Sequence, residues 1–389
     1  MEPLGVGIVG CGNISSQYLR HLATFPDVRV LFCADIDIER AKAQAAAFDV
    51  PAAGSVRQAL EHPGVELVLN LTIPAAHAEV ASAAIAAGRH VWNEKPLATD
   101  VVSGRALLDQ ARLAGLRVGC APDTVLGAGL QSARRLIGAG AIGTPVSALT
   151  LLEGPGPQEW HPDPEFLFAK GAGPLFDLGP YYLSVLATLF GPATRVAAVG
   201  RRASDTRVIG SGPRAGTEFT VEVPTYLSAL AEYAGGQAAS LLFSWDSPLV
   251  RTGFVEITGT EATLALPDPN GFDGDLRVRR AREGEWTVIP SAGSTAGSTA
   301  GSTAGSTAGG AAGNGASTAA GRGIGVVDMA RAIRRGEPHR ASGEMALHVL
   351  EMMTAMERSA SGTGFESIES VFDVPAELDA AWDPRVQAA

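Results

Sequence analysis

Short apolar runs alternate with alanine-rich stretches of helical periodicity through about the first 120 residues. The apolar runs predict buried strands, and the stretches between them predict the helices that connect parallel strands. The strands are expected at Leu4–Val9, Val28–Ala34, Leu67–Leu71, His90–Trp92 and Arg117–Gly119. The helices are expected at Ser15–Thr24, Asp37–Phe48, Ala75–Ala87 and Thr99–Ala114. Alternation with short connections predicts an α/β domain with a doubly wound parallel sheet.

The pattern changes after about residue 122, where strand-like runs follow one another instead of alternating with helices. A helix at Gly127–Gly138, a strand at Val146–Leu152 and a helix starting near Asp177 come first. The later strands are expected at Arg195–Arg201, Thr217–Val223, Thr225–Tyr233, Ala238–Trp245, Gly253–Thr258 and Leu276–Arg279. This succession predicts an open, mostly antiparallel sheet in an α+β domain. We therefore expect two domains, 1–122 and 123–389.

Residues 293–323 repeat Gly-Ser-Thr-Ala and then continue with small residues. Such a composition cannot bury enough apolar surface to offset the entropy of ordering. We interpret 293–323 as a flexible insert in the second domain. Two amphipathic helices, at Val326–Arg335 and Gly343–Ser359, and a short terminal strand are expected after it.

Composition narrows the classes of function. The net charge of −11 over 389 residues argues against nucleic acid and anionic membrane surfaces as partners. No apolar run reaches the roughly 20 residues that span a bilayer, and the first residues do not resemble a signal peptide. The spacing of metal ligands is absent from the three cysteines, Cys11, Cys33 and Cys120, so we expect buried free thiols and no metal site. Free thiols are typical of a reducing compartment, so we expect a cytoplasmic location.

A glycine-rich turn joins the first predicted strand to the first predicted helix. Gly10 permits a tight turn, and Gly12 allows the backbone to approach a pyrophosphate. Asn13 and Ile14 lead into the helix, whose N–H groups and dipole favour an anion. Ser15 stands at the third fingerprint position and is still small. This context predicts a Rossmann-type dinucleotide site.

Asp35 follows the second predicted strand, where a carboxylate accepts hydrogen bonds from the adenosine ribose. The same carboxylate would repel a 2′-phosphate, and no Arg or Lys immediately follows it. NAD is therefore expected rather than NADP. Asp35 is alternatively the cap of the next helix, although Asp37 is better placed for that role.

Two segments carry a family resemblance. They read Thr72-Ile73-Pro74-Ala75-Ala76-His77 and, from Ala87 to Ala98, Ala-Gly-Arg-His-Val-Trp-Asn-Glu-Lys-Pro-Leu-Ala. Both are similar to segments of the glucose–fructose oxidoreductase/inositol dehydrogenase (Gfo/Idh/MocA) family. With the N-terminal glycines and the two-domain pattern, the resemblance covers nearly the whole chain except the insert.

The resemblance implies an NAD-dependent oxidoreductase that acts on a sugar, polyol or related hydroxy compound. It implies that Thr72 and Pro74 line the cofactor, and that Glu94 and Lys95 lie at the nicotinamide end. Lys95 would reach the substrate hydroxyl, and Pro96 restricts it to an extended conformation. His77 either contacts a ligand or starts and packs its helix.

The run Gly171–Tyr182 is similar to the family's G-G-G-x-x-x-D-x-G-x-H, with Asp177 at the aspartate. The family histidine is replaced by Tyr181, a change also found in members that resemble dihydrodiol or xylose dehydrogenases. The resemblance implies that Tyr181 and Lys95 handle a hydroxyl proton and that Asp177 orients Lys95 or a substrate hydroxyl. Alternatively, Pro180-Tyr181-Tyr182 starts a core helix.

Three other residues are candidate substrate ligands, each with a structural alternative. Trp160 and His161 would present an aromatic face to a sugar ring, or they form a rigid turn. Asp123 would contact substrate, or it caps a helix.

Hydride transfer is the favoured hypothesis. A redox-neutral glycosidase or lyase and a non-catalytic NAD-binding regulator are the alternatives. The expected partners are a small sugar or polyol and further copies of the chain, as a homodimer or homotetramer through the C-terminal sheet.

Overall fold

The computed structural model describes residues 1–281, 284–291 and 321–388. Most of the predicted flexible insert, 293–320, therefore lies outside the described residues. The described chain forms two compact units. The first takes its residues from 1–127, 320–351 and 370–389, and the second from 128–319 and 352–369. Two C-terminal segments thus belong to the first unit, and the domain bounds predicted above stay a prediction.

The described residues of the first unit contain a six-stranded parallel sheet in the order β3-β2-β1-β4-β5-β6. Its strands are β1 (Leu4–Val9), β2 (Val28–Ala34), β3 (Ala52–Gly54), β4 (Leu67–Asn70), β5 (His90–Asn93) and β6 (Val118–Cys120). This order reverses between β1 and β4, which places the carboxyl ends of these two strands at the switch point where ligands bind. The predicted doubly wound parallel sheet is confirmed.

Within the described residues, five helices connect these strands, and a sixth from the C-terminal part of the chain packs against the sheet. They are α1 (Ser15–Leu22), α2 (Ile38–Ala47), α3 (Val56–Glu61), α4 (His77–Ala86), α5 (Val101–Leu113) and, from the C-terminal part of the chain, α9 (Ile324–Arg335). All six residues of β1 are buried, because a parallel sheet is covered on both faces. The sequence pattern missed β3 and α3, which are too short to show a period. Ser55 starts α3 with a reciprocal capping box to Gln58.

The second unit contains a mixed sheet in the order β16-β15-β14-β13-β7-β12-β11-β8-β17, as far as the residues are described. Neighbours pair antiparallel except β7 with β12, so the predicted mostly antiparallel sheet is confirmed. The strands are β7 (Pro145–Glu153), β8 (Ala193–Arg201), β11 (Tyr226–Tyr233), β12 (Ala238–Ser244), β13 (Arg251–Gly259), β14 (Ala262–Ala265), β15 (Leu276–Arg280), β16 (Thr287–Ile289) and β17 (Glu366–Ser367). A separate hairpin pairs β9 (Thr206–Val208) with β10 (Glu218–Thr220).

The remaining helices are α6 (Ala128–Gly138), α7 (Glu165–Phe168), α8 (Gly173–Phe190) and α10 (Gly343–Ser361). The prediction that a helix starts near Asp177 is wrong by one turn, since α8 begins at Gly173. Pro174 fits the first turn, where its missing N–H is not needed. Pro180 lies inside α8 without ending it, and burial of nearly the whole helix offsets the lost hydrogen bond.

The three cysteines are buried free thiols, as predicted. Across the described residues, the helices are too short or too polar to cross a bilayer.

Candidate active site

The turn after β1 has the geometry of a phosphate-binding loop. Gly10 has a φ of 97°, and an added Cβ would lie 2.6 Å from the carbonyl of Leu71, so only glycine fits. Gly12 is exposed, and a Cβ there would meet nothing within 4 Å. Asn13 is exposed and Ile14, the N-cap of α1, supplies no side-chain cap. The first-turn N–H groups of α1 thus have no side-chain acceptor from the cap residue, which suits an anion.

Asp35 fixes this loop to the next strand. Its buried carboxylate accepts hydrogen bonds from the backbone N–H of Cys11 (2.7 Å) and of Asp37 (2.9 Å). Asp37 caps α2 by accepting from the N–H groups of Glu39 and Arg40, so the capping role belongs to Asp37, as predicted. The two carboxylate oxygens of Asp35 retain lone pairs for ribose hydroxyls.

Sequence reasoning missed a basic side chain beside Asp35. The Arg40 guanidinium lies 3.6 Å from the Asp35 carboxylate and is half exposed. Arg40 does not directly follow Asp35 in the sequence, but the first turn of α2 brings its guanidinium back to Asp35. Asp37 also pairs with Arg40 at 3.4 Å, so the guanidinium is shared by two carboxylates.

Thr72 and His77 belong to one buried hydrogen-bond network after β4. The Thr72 hydroxyl donates to the Asn70 side-chain oxygen at 2.7 Å. His77 is 1% exposed, with Nδ1 2.6 Å from the Pro96 carbonyl and Nε2 3.0 Å from the Thr72 carbonyl. Of the two roles left open for His77, this geometry supports packing at the helix start over contact with a ligand. The buried ring links the backbone at Thr72 to the backbone at Pro96. Pro74 is exposed in the short turn between them.

Glu94 holds the backbone of Lys95. Its carboxylate accepts from the Tyr18 hydroxyl at 2.8 Å and from the Lys95 N–H at 2.9 Å. The Arg322 guanidinium lies 3.9 Å away. Lys95 is half-buried, and its bond to Pro96 is cis. Sequence reasoning missed Tyr18 and Arg322, since neither belongs to a motif.

Asp123 is fully buried and caps a distant helix. Its Oδ2 accepts from the N–H groups of Gly323 (2.7 Å) and Gly325 (3.2 Å) at the start of α9. Its Oδ1 has no hydrogen-bond partner among the described residues. Burial raises the pKa of Asp123 to about 6, although Arg322 and the two N–H groups act in the opposite direction. Of its two roles, the structure favours capping over contact with substrate.

In the second unit, α8 carries Asp177 and Tyr181 one turn apart. Asp177 is half-buried, and Tyr181 is 3% exposed. The neighbouring Tyr182 is a core residue, since its hydroxyl accepts from the Gly253 N–H at 2.8 Å and its ring contacts Phe243. Both tyrosines are buried inside α8, which begins at Gly173, so they do not start the helix but do belong to its core, and the role of Tyr181 in proton transfer stays a prediction.

Asp177 and Trp160 line one cavity of about 260 Å³ in the second unit. The loop after β7, the first turns of α8 and the ends of β12 and β13 form its walls. His161 is not part of the wall, but its ring contacts Trp160 edge-on at 5.5 Å, and Phe166 at 5.3 Å. The structure thus brings Asp177 and Trp160 together and gives His161 a supporting position.

Sequence reasoning missed other residues of this cavity, namely Glu153, Glu159 and Trp245. Glu153 ends β7 and Trp245 directly follows β12, and these strands pair in parallel with Ser244 opposite Glu153. Parallel strands end at the same edge of a sheet, so their last residues meet. The pairing joins segments about 90 residues apart and leaves no local signal.

Two family models match the chain. The model described as an oxidoreductase family with an NAD-binding Rossmann fold matches residues 4–121. The model of the GFO/IDH/MocA C-terminal domain matches residues 130–265.

Individual proteins are similar over most of the chain. A trans-1,2-dihydrobenzene-1,2-diol dehydrogenase from Bos taurus is 28% identical over 293 residues, 74% of this chain and 81% of the relative. A dTDP-3,4-didehydro-2,6-dideoxy-α-D-glucose 3-reductase from Streptomyces violaceoruber is 29% identical over 75% of this chain and 82% of the relative. A crystal structure of an NAD-binding oxidoreductase from Klebsiella pneumoniae is 25% identical, with a TM-score of 0.76 over 95% of this chain and 100% of that one.

Proposed function

Since the chain belongs to the Gfo/Idh/MocA family of oxidoreductases, we propose that it is a dehydrogenase that uses NAD to oxidise a hydroxyl-bearing carbon of a sugar, polyol or related compound. The observation that carries the proposal is the cavity that Asp177 and Trp160 both line. A carboxylate next to an aromatic wall suits a ligand with hydroxyl groups and an apolar ring face.

The residues of the first unit fit a dinucleotide. Gly10, Gly12 and the start of α1 would bind the pyrophosphate, since the loop leaves open space at Gly12. Asp35 would accept from the ribose hydroxyls, and its charge disfavours a 2′-phosphate despite the shared Arg40. Thr72 and Pro74 would line the cofactor further along. Bound NAD supplies a carbon that accepts hydride from the substrate.

We assign the substrate hydroxyl proton to Lys95 and Tyr181 as general acid–base groups. The Lys95 N–H donates to the Glu94 carboxylate, and His77 Nδ1 lies within hydrogen-bond distance of the Pro96 carbonyl as a donor, so the backbone is held on both sides of Lys95. Asp177 would orient a substrate hydroxyl, because it lines the cavity. Fixing the backbone around Lys95 orients its side chain as a proton acceptor, which lowers the entropic part of the barrier.

Purified protein with NAD and a panel of sugars, polyols and cyclic diols is expected to form reduced cofactor. We expect kcat/KM to be at least about tenfold higher with NAD than with NADP, because one like-charge repulsion of roughly 1.4 kcal/mol corresponds to tenfold. The measurement is the absorbance of the reduced nicotinamide. Substrate cleavage without net reduced cofactor would instead favour the redox-neutral glycosidase or lyase. NAD binding without turnover of any compound would favour the regulator.

We also propose that the chain forms a homodimer or homotetramer through the open face of the large sheet. Leu149 on β7 and Leu230 on β11 flank Ser240 of β12 in one row across this face. They are 44% and 53% exposed, and Val199 on β8 is 67% exposed. Exposed apolar side chains on one face of a sheet favour an interface at that face.

Leu230→Arg is expected to dissociate the oligomer, because it places a charge inside an apolar interface that two-fold symmetry repeats. The measurement is molar mass by light scattering during size-exclusion chromatography. Val208→Arg on β9 makes the same change at a 50% exposed position outside the large sheet and should have no effect. A monomeric wild-type protein, or an unchanged mass for Leu230→Arg, contradicts the proposal.

A further inference from the structure

The second-unit cavity has two walls that come from distant parts of the chain. One wall is the loop 154–160, and all of its described residues except Gln158 line the cavity. The other wall includes Trp245, which directly follows β12. Since β7 ends at Glu153, the loop is not part of the sheet. The distance between the two walls therefore depends on contacts outside the sheet ladder.

One arginine of the separate hairpin bridges the two walls. The Arg207 guanidinium, on β9, donates to the Pro155 carbonyl at 2.7 Å and to the Gln158 side-chain oxygen at 3.0 Å. Its other terminal nitrogen donates to the Trp245 carbonyl at 2.8 Å. A guanidinium presents its N–H donors in a fixed planar fork. Arg207 therefore sets the position of the loop relative to Trp245.

The bridging guanidinium is itself held in place. It pairs with the Asp246 carboxylate, whose second oxygen accepts from the Thr225 hydroxyl at 2.8 Å. It also lies over the Phe168 ring, 5.2 Å from the ring centroid. Arg207 and Asp246 are only 13% and 12% exposed, so salt screens this pair less than a surface pair. The bridge is therefore anchored to buried residues of the second unit.

At Gly156 the loop backbone packs directly against this guanidinium. Gly156 has a φ of 98°, a conformation that favours glycine. An added Cβ there would lie 2.9 Å from Arg207 Nη1 and 3.1 Å from the Trp245 Cβ. The loop, the arginine and the opposite wall are thus packed without space for one more methyl group. This packing gives the cavity its shape before a substrate binds.

We infer that Arg207 is a positioning residue for substrate binding, because it holds the loop 154–160 at a constant distance from Trp245. This inference rests on the proposed function and adds a residue to it. Arg207 is not among the described residues that line the cavity, so it acts through Pro155, Gln158 and Trp245 and does not touch substrate. A loop that is ordered before binding loses less conformational entropy when substrate binds, so Arg207 increases the affinity for substrate.

Arg207→Lys tests the bridge. It keeps a positive charge for Asp246 but replaces the planar fork with a single ammonium, which cannot span both walls. We expect KM for the best substrate of the panel to rise at least about tenfold, while kcat changes less than about threefold, because substrate and transition state lose the same binding. The KM for NAD should not change. The measurement is the steady-state rate at varied concentrations of substrate and of NAD.

Arg214→Lys is the matched control. Arg214 lies between β9 and β10 and is 47% exposed, and it pairs with Asp163 and Glu165. Neither carboxylate is among the described residues that line the cavity. Exposed pairs of this kind contribute little, so the substrate KM should change less than about twofold.

Gln158→Met tests the same bridge from the loop side. It removes the side-chain oxygen that accepts from Arg207 and leaves the Arg207–Asp246 pair in place, so no buried carboxylate loses its cation. The substrate KM should rise in this variant too. In the double variant the rise should be smaller than the product of the two single effects, because both substitutions disrupt one contact.

Amide exchange gives a readout that needs no substrate. The N–H groups of Glu159, Trp160 and His161 donate to carbonyls of the loop. Their exchange is expected to become at least about tenfold faster in Arg207→Lys, because the loop opens more often. The amides that pair β11 with β12 should exchange as in the wild type.

An unchanged substrate KM in Arg207→Lys, or a fall in kcat without a rise in KM, overturns the inference and retains the dehydrogenase. Faster exchange of β11 and β12 to the same extent as the loop also overturns it, because Arg207 would then only stabilise the second unit. Fully multiplicative effects of Arg207→Lys and Gln158→Met would show that the two residues act independently, which overturns the bridge. A wild-type protein that turns over no compound of the panel contradicts the proposed function instead, and amide exchange still decides whether Arg207 holds the loop.

Discussion

Replacing Lys95 with alanine is expected to lower the rate of NADH formation by about 10²–10⁴-fold, the usual contribution of a general acid–base group. NAD binding should be retained, because the pyrophosphate and ribose contacts are assigned to the glycine loop and Asp35 and not to the Lys95 side chain. The N–H that donates to Glu94 belongs to the backbone of residue 95, so this hydrogen bond is still possible in the alanine variant. The measurements are steady-state rates with the best substrate of the panel and calorimetric titration with NAD.

Lys42→Ala is the matched control. Lys42 lies on α2 of the same unit, where its exposed ammonium pairs with Glu39. An exposed pair of this kind contributes about 0–1 kcal/mol, so stability and rate should change little. A Lys95→Ala enzyme with more than about a tenth of the wild-type rate would contradict the role of Lys95. Loss of NAD binding in that variant would assign Lys95 to cofactor binding instead.

The fold of the first unit was predictable because its strands are buried on both faces and its connections are short. The runs at Leu4–Val9 and Val28–Ala34 match β1 and β2 in full. Helix ends were also readable where a side chain caps them, as at Asp37. The three-residue strand β3 was missed, since two or three residues cannot display an alternating pattern.

The second unit was predictable in class but not in pairing. Most of its strands lie where the apolar runs indicated, whereas the parallel pairing of β7 with β12 has no local signature. That pairing brings Glu153 beside Trp245, so the acidic and aromatic wall of the cavity could not be read from the sequence. The start of α8 was displaced because Pro180 suggested a helix start, while Pro174 occupies the first turn.

Candidate residues within sequence motifs were easier to predict than the residues that form hydrogen bonds or ion pairs with them. Asp177 and Trp160 were both named from local patterns, and the structure brings them to one cavity. Tyr18 and Arg322, which surround Glu94, come from segments 76 residues before and more than 200 residues after it. Asp123 was named as a candidate substrate ligand, but its carboxylate accepts hydrogen bonds from Gly323 and Gly325, about 200 positions away in the sequence. Long-range hydrogen bonds of this kind depend on the tertiary fold.

The largest expected loss of stability follows from Arg331→Met. Arg331 and Asp27 are both buried, and the guanidinium Nε donates to the Asp27 carboxylate at 2.8 Å. The same guanidinium donates to the carbonyls of Asp383 (2.9 Å) and Val386 (2.6 Å) and lies over the Trp382 ring at 5.0 Å. Arg331 therefore joins the C-terminal residues to the rest of the first unit through one charged group.

Methionine keeps an unbranched apolar stem in place of that of Arg331 but leaves the Asp27 carboxylate buried without its cation. Removal of one partner from a buried pair typically costs about 3–5 kcal/mol, so we expect a loss of that size in the free energy of unfolding. It is measured by urea denaturation, with amide exchange of β1 and β2 reporting on the first unit. Arg57→Met, in the exposed pair with Glu61, should cost at most about 1 kcal/mol. Adding Asp27→Asn to Arg331→Met should recover part of the loss, because it removes the unpaired charge. A loss below about 1 kcal/mol for Arg331→Met would show that water or another group compensates Asp27.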